Sequence, residues 1–250
     1  MTTPRWPYPD LLAHRGGGRL APENTLSALV AGALFGSRMA EFDVRLSRDN
    51  VPFLLHDDTL ERTTNGQGPA AGQDWQQLAR LDAGSWFDPR FAGEELPRLA
   101  DAARVCREHG LAANVEIKPC PGREAETGRI VATECAHGWQ RAAVPPLLSS
   151  FSPEALLAAR AAAPQLNLGW LIEGPLPADW LAQARTLGVM ALHLEHALVD
   201  APLVGAAHAV GLAVLAWTVN DLATARRLRT LGVDALCTDV PDELAAGSQP

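Results

Sequence analysis

Eight short apolar runs, helix-period segments between them, and reactive side chains gathered where the runs end predict an α/β fold, a (β/α)8 TIM barrel with a small inserted subdomain. The runs fall at residues 11–14, 39–46, 113–118, 147–151, 168–172, 191–194, 214–219 and 235–238. Helical segments lie between them at residues 24–35, 99–109, 123–137, 153–162, 179–187, 201–210 and 221–231. Eight such alternations fit a closed barrel better than an open doubly wound sheet.

Start and stop signals support these elements in order. Ser152 before Pro153, and Asp200 two residues before Pro202, place a capping side chain near a helix start. Glycines such as Gly188 and Gly232 sit where a left-handed residue ends a helix. One stretch breaks the rhythm. After a short extra strand at residues 51–56, residues 57–97 are rich in Gly, Asp, Thr and Gln and are too long for a simple connection. They read as a subdomain inserted in the second βα connection of a single barrel domain, residues 1–250, covering one side of the barrel mouth, with Trp75, Trp86, Phe87 and Phe91 expected to supply its small core or, for one of them, to line a substrate cleft.

With 47% hydrophobic residues in 250, the chain can bury a sizeable core. The net charge of −8 disfavours nucleic acid and anionic lipid as partners, and Arg226, Arg227 and Arg229 read as the solvated face of one helix. Cys106, Cys120, Cys135 and Cys237 are too widely spaced for a zinc knuckle or a redox dithiol. The first ten residues lack an apolar signal core, and no apolar stretch is long enough to cross a membrane. A cytoplasmic location is expected. Apolar helix faces around a barrel leave a homo-oligomer open.

The chemistry clusters at the carboxyl ends of the runs, where barrels of this class build their sites. Glu41 and Asp43 are two apart on one strand and share a face, so they repel unless a cation lies between them. Glu116 is a natural third oxygen ligand, and an all-carboxylate set favours Mg²⁺ or Ca²⁺ over zinc. The alternative is ordinary ion pairing of Glu41 and Asp43 with Arg38 or Arg45. His14 and His56 each end a run and are suited to divide acid and base roles. Arg15 and Lys118 are suited to non-bridging phosphate oxygens, although Lys118 also shares a face with Glu116 as a simple ion pair. Glu23 could orient Arg15, cap a helix or contact an ion. Trp217 is either core or an apolar wall for an alcohol group. His193 and Glu195 share a face near the end of the sixth run and offer peripheral polarity, while His109, His137, His196 and His208 read as structural or exposed.

Taken in order, HRG, PENT, E-x-D, PFLLHDDTLERTTNG, LDAGSWF, NVEIKP, SSF, AWTVN and TDVP resemble the glycerophosphodiester phosphodiesterase family, of the cytoplasmic bacterial type. The likeness runs from Leu11 to about Pro241. It implies a (β/α)8 barrel with an insertion, His14 and His56 as the acid-base pair, and Glu41, Asp43 and Glu116 as ligands of one divalent ion. It also implies phosphate contacts from Arg15 and Lys118. The implied reaction is hydrolysis of a glycerophosphodiester to glycerol 3-phosphate and an alcohol. In related phospholipase C-type barrels a substrate hydroxyl attacks first, through a cyclic phosphate. Two other readings stand beside this one: a non-catalytic glycerol phosphate binding barrel, and a metal-dependent aldolase or isomerase.

Overall fold

The computed structural model describes residues 6–246. Its strands are β1 (Leu11–Ala13), β2 (Met39–Leu46), β3 (Pro52–Leu54), β4 (Ala112–Ile117), β5 (Leu147–Ser150), β6 (Asn167–Ile172), β7 (Ala191–Glu195), β8 (Ala213–Trp217) and β9 (Ala235–Thr238). The helices are α1 (Leu26–Leu34), α2 (Trp75–Leu78), α3 (Leu99–Glu108), α4 (Glu124–Gly138), α5 (Pro153–Ala162), α6 (Trp180–Leu187), α7 (Ala201–Ala209), α8 (Leu222–Leu231) and α9 (Pro241–Ala246).

Eight strands pair in parallel in the order β1, β9, β8, β7, β6, β5, β4, β2, and the pairing of Ala13 with Ala40 joins β1 to β2 and closes the barrel. β3 lies outside the closed ring, antiparallel to the end of β2, with Val44 opposite Leu54. The fold is therefore a (β/α)8 barrel. α9 adds a helix after the last strand, beyond the segments that sequence periodicity picks out.

Alternation along the strands sorts the residues. Phe42 and Val44 point outward into the layer between sheet and helices, where Leu29, Leu99, Val131 and Leu156 are fully buried against it. Burying each such side chain contributes roughly 1.5–3 kcal/mol. The closed bottom of the barrel is plugged by Leu12, Met39, Leu147, Leu215 and Ala235, with Tyr8 packed beneath them. An apolar plug below leaves the upper interior for polar side chains.

The helix caps follow the sequence signals. Ser152, Asp200 and Asp221 accept hydrogen bonds from the N–H groups of Ala155, Leu203 and Thr224, each contributing about 1 kcal/mol. Gly188 and Gly232 adopt φ of 63° and 90° as the left-handed residues that stop α6 and α8.

Residues 57–97 contribute Leu60, Trp75, Leu78 and Leu96 to a separate cluster completed by Phe53 and Leu55 from β3 and just after it. Of the four aromatics expected in that core only Trp75 enters it. Trp86, Phe87 and Phe91 instead stack edge to face with one another, centroids 5.6 and 5.7 Å apart, and Trp86 is 41% exposed. The N-terminal end of α1 is tied to this segment by Glu94, which accepts from the Ser27 N–H and hydroxyl. Among the described residues no helix is long and apolar enough to cross a membrane.

Candidate active site

The upper barrel interior opens into one cavity of about 130 Å³. His14, Arg15, Glu41, Asp43, His56, Glu116, Lys118 and Trp217, all singled out from the sequence, line it together with Asn114, Phe151, Leu171, His193 and Leu215. Their convergence follows from register: Asp43 pairs with Glu116 across β2 and β4, so alternation that turns one inward turns both.

Oxygen atoms of Glu41, Asp43 and Glu116 lie within 4.8 Å of one another. Burial, with repulsion from Asp43 and Glu116, drives the Glu41 carboxyl well above the usual range, and burial with Asp43 lifts Glu116 to about 7. Burial opposes ionisation of Asp43 as well, but Lys118, His56, Arg15 and a hydrogen bond from Asn24 outweigh it and hold that carboxylate low. Glu41 Oε1 is buried and has no hydrogen-bond partner among the described residues. Three crowded carboxylates, one with an unpartnered oxygen, fit a hard divalent cation, which would relieve the repulsion. Among the described residues, Arg38 and Arg45 form no ion pair with Glu41 or Asp43. Arg45 instead donates to the His56 carbonyl at 2.6 and 3.0 Å and pairs with Asp58 at 2.5 Å, which braces the His56 backbone.

Both histidines are held in the same manner. His14 Nδ1 lies 2.6 Å from Asp239 Oδ1, and His56 Nδ1 lies 2.6 Å from Asp57 Oδ1. An ionised carboxylate only accepts, so the proton of each neutral imidazole sits on Nδ1 and the Nε2 lone pair is free. Burial, with Lys118 and Arg15 nearby, keeps His56 below the ordinary histidine value despite Asp43 and Asp57.

Arg15 adopts φ 51°, a left-handed conformation uncommon for a side-chain-bearing residue, and its N–H donates to Glu41 Oε2 at 2.9 Å. Its guanidinium donates to Glu23 at 2.8 Å. Of the three readings of Glu23, the contacts match the one in which it orients Arg15, and it also receives Arg62 at 2.7 and 2.9 Å. Arg62 in turn donates to Asp57 at 2.6 and 3.0 Å, so one planar fork joins the carboxylate behind His56 to the carboxylate behind Arg15. Lys118 Nζ stands 3.1 Å from Glu116 and 3.7 Å from Asp43. Burial would lower its pKa, but those two carboxylates outweigh it and keep the ammonium charged. Trp217 stacks edge to face on Phe151 at 5.9 Å, and both line the cavity as an apolar wall.

Comparison with known proteins decides the family. The model of the glycerophosphoryl diester phosphodiesterase family matches residues 14–243. The chain belongs to this family. The Bacillus subtilis protein YhdW is 32% identical over 239 residues, which cover 93% of this chain and 95% of that one. A glycerophosphodiester phosphodiesterase of Caldanaerobacter subterraneus is 29% identical over 94% of this chain and 95% of its own. Among solved structures, an Oleispira antarctica phosphodiesterase in complex with the product sn-glycerol-3-phosphate superposes with a TM-score of 0.90 at 34% identity, covering 96% of each chain.

For this phosphodiesterase family member, sequence reasoning passed over several residues of the site. Asp239 was visible at the end of the last run, but nothing local paired it with His14. Asn220 donates to Asp239 Oδ2 at 2.8 Å and accepts from its backbone N–H at 2.8 Å. Gly18, at φ 59°, presses against the Asp239 carbonyl so closely that a Cβ there would lie 2.2 Å from the oxygen. Asn24, also left-handed at φ 58°, brackets Asp43 with hydrogen bonds of 2.8 and 3.0 Å. His193, expected as peripheral, is fully buried and faces the cavity.

Proposed function

We propose that this enzyme hydrolyses glycerophosphodiesters to glycerol 3-phosphate and an alcohol, using one divalent ion, Mg²⁺ or Ca²⁺, and the two histidines. The observation that carries this reading is the pairing of two carboxylate-held imidazoles with the acidic triad around one cavity. Glu41, Asp43 and Glu116 would hold the ion, which when bound supplies positive charge for the phosphoryl oxygens and a site for lowering the pKa of an oxygen nucleophile. The Oleispira neighbour's bound product supports glycerol phosphate as the ligand class.

The chain's own groups do the rest. Arg15 offers a planar fork to non-bridging oxygens and Lys118 a charged ammonium. Both are pre-oriented by carboxylates, so they are in place before charge develops on phosphorus. One imidazole takes the proton of the attacking hydroxyl, either from water or from the substrate's own 2-hydroxyl. The other delivers a proton to the departing alcohol oxygen. Asp57 and Asp239 fix each ring and stabilise its protonated form without taking the proton themselves.

A barrel that merely held glycerol phosphate would gain nothing from two such dyads. A metal-dependent aldolase or isomerase would leave the second carboxylate-held histidine without a task. The test is glycerol 3-phosphate release from glycerophosphocholine, with and without a chelator, for the natural chain and His14→Ala. Release by the natural chain only, abolished by chelator, supports the proposal; release that survives both treatments refutes it.

A further inference from the structure

His193 is an unusual use of a histidine. It is fully buried on β7, and neither Nδ1 nor Nε2 has a hydrogen-bond partner among the described residues. Room for it comes from the next strand: a Cβ on Gly169 would lie 2.4 Å from His193 Nε2, so only glycine admits the ring there. A glycine inside a strand weakens it, and this one marks a close approach. Asn114 Oδ1 and Ser149 Oγ are also buried without partners among the described residues. Ser149 is the register partner of both Gly169 and Glu116, so the ring leans towards the strands that carry the acidic triad.

We infer that His193 and Asn114 form the subsite for the glycerol end of the substrate, with the polyol hydroxyls on the barrel floor and the headgroup alcohol directed out of the mouth. This rests on the phosphodiesterase reading and deepens it. Burial keeps His193 neutral, its pKa pushed down to about 3, so the ring offers one donor and one acceptor. A hydroxyl both donates and accepts, so one hydroxyl of a vicinal diol can pair with whichever ring nitrogen it meets while its neighbour donates to Asn114 Oδ1. Three buried polar groups left unpaired together would be costly, and hydroxyl ligands offset that cost. Size sets the orientation. The cavity, about 130 Å³ above an apolar plug, is smaller than the roughly 300–1,000 Å³ of drug-sized sites. A second hollow beyond His14 and Arg15, lined by Trp86 and Phe87, leaves room for a larger group outside.

The test compares sn-glycerol 3-phosphate with ethyl phosphate, which lacks the hydroxyls, by calorimetric titration into the magnesium-loaded protein. The natural chain should prefer glycerol 3-phosphate by about tenfold or more, the value of one or two buried hydrogen bonds. His193→Leu should erase the preference and leave ethyl phosphate affinity unchanged; His193→Gln, which keeps a donor and an acceptor, should restore part of it. If His193→Leu does not fold, His193→Asn, too short to reach the same positions, should give the same loss. An undiminished preference in these variants, or an equal fall for both ligands, overturns the inference. Failure to release glycerol 3-phosphate from glycerophosphocholine while the binding preference persists would instead sink the phosphodiesterase reading alone.

Discussion

His14 Nδ1 meets Asp239 Oδ1 at 2.6 Å although the two residues are 225 apart in the chain. They are brought together by the β1–β9 pairing, in which Ala13 lies opposite Thr238, so the dyad exists only once the first and last strands have paired. Burial pushes the Asp239 carboxyl up, but hydrogen bonds from His14 and Asn220 outweigh it and hold it down at about 2. Asp239→Asn should therefore keep the fold and misplace the ring proton, lowering kcat by about 10²- to 10⁴-fold with little change in KM. Steady-state kinetics with circular dichroism decide it, and a loss below about threefold speaks against the dyad.

Arg62 touches neither ring, yet it joins Asp57 to Glu23. Arg62→Ala should loosen both His56 and Arg15, cutting kcat/KM by about 10²-fold through misplacement while the melting temperature moves little. Arg62→Lys should fail to restore activity, because an ammonium cannot serve two carboxylates in a plane. Full activity in the lysine variant would show that only charge matters at this position.

Binding of a divalent ion should show in stability as well as rate. At about a hundredfold excess over its Kd, Mg²⁺ or Ca²⁺ should stabilise the native chain by about 2.7 kcal/mol. Glu116→Ala should lose that shift in a thermal melt. An equal shift in this variant would place the ion elsewhere.

His193 predicts a pH dependence of folding. Its pKa is about 3 in the folded chain against 6.5 as the reference, a depression caused by burial. The stability linked to it is whole above pH 6.5 and is lost as pH falls towards 3, because only the unfolded chain takes up the proton. Denaturant titrations should show about 1.4 kcal/mol lost per pH unit in that window, beyond the slope of His193→Leu. Parallel slopes for the two proteins would mean that the ring is not buried neutral.

Much of the fold is legible in local pattern. β2 and β9 fall where the apolar runs predict, and inward alternation carries Glu41, Asp43, Glu116 and Lys118 to one cavity. What is not legible depends on contacts between distant segments. The seventh run reads on to Val219, but β8 stops at Trp217, and Asn220 beyond it turns to Asp239. Asp239, Arg62 and Asn24 are ordinary polar residues until closure sets them beside His14, Glu23 and Asp43. The burial of His193 depends on a glycine one strand away, which no periodicity records. Residue type leaves open which aromatic of the insertion is core and which lines a cleft, and only its folded form puts Trp75 in the core and Trp86 and Phe87 beside His14 and Arg15.

The most direct test of the central claim is a crystal structure with Mn²⁺ as an anomalous substitute and glycerol 3-phosphate bound. The anomalous peak should lie about 2.0–2.6 Å from oxygens of Glu41, Asp43 and Glu116, with the phosphate between His14 Nε2 and His56 Nε2. A metal peak away from that triad, or a phosphate reached by only one of the two rings, would contradict it.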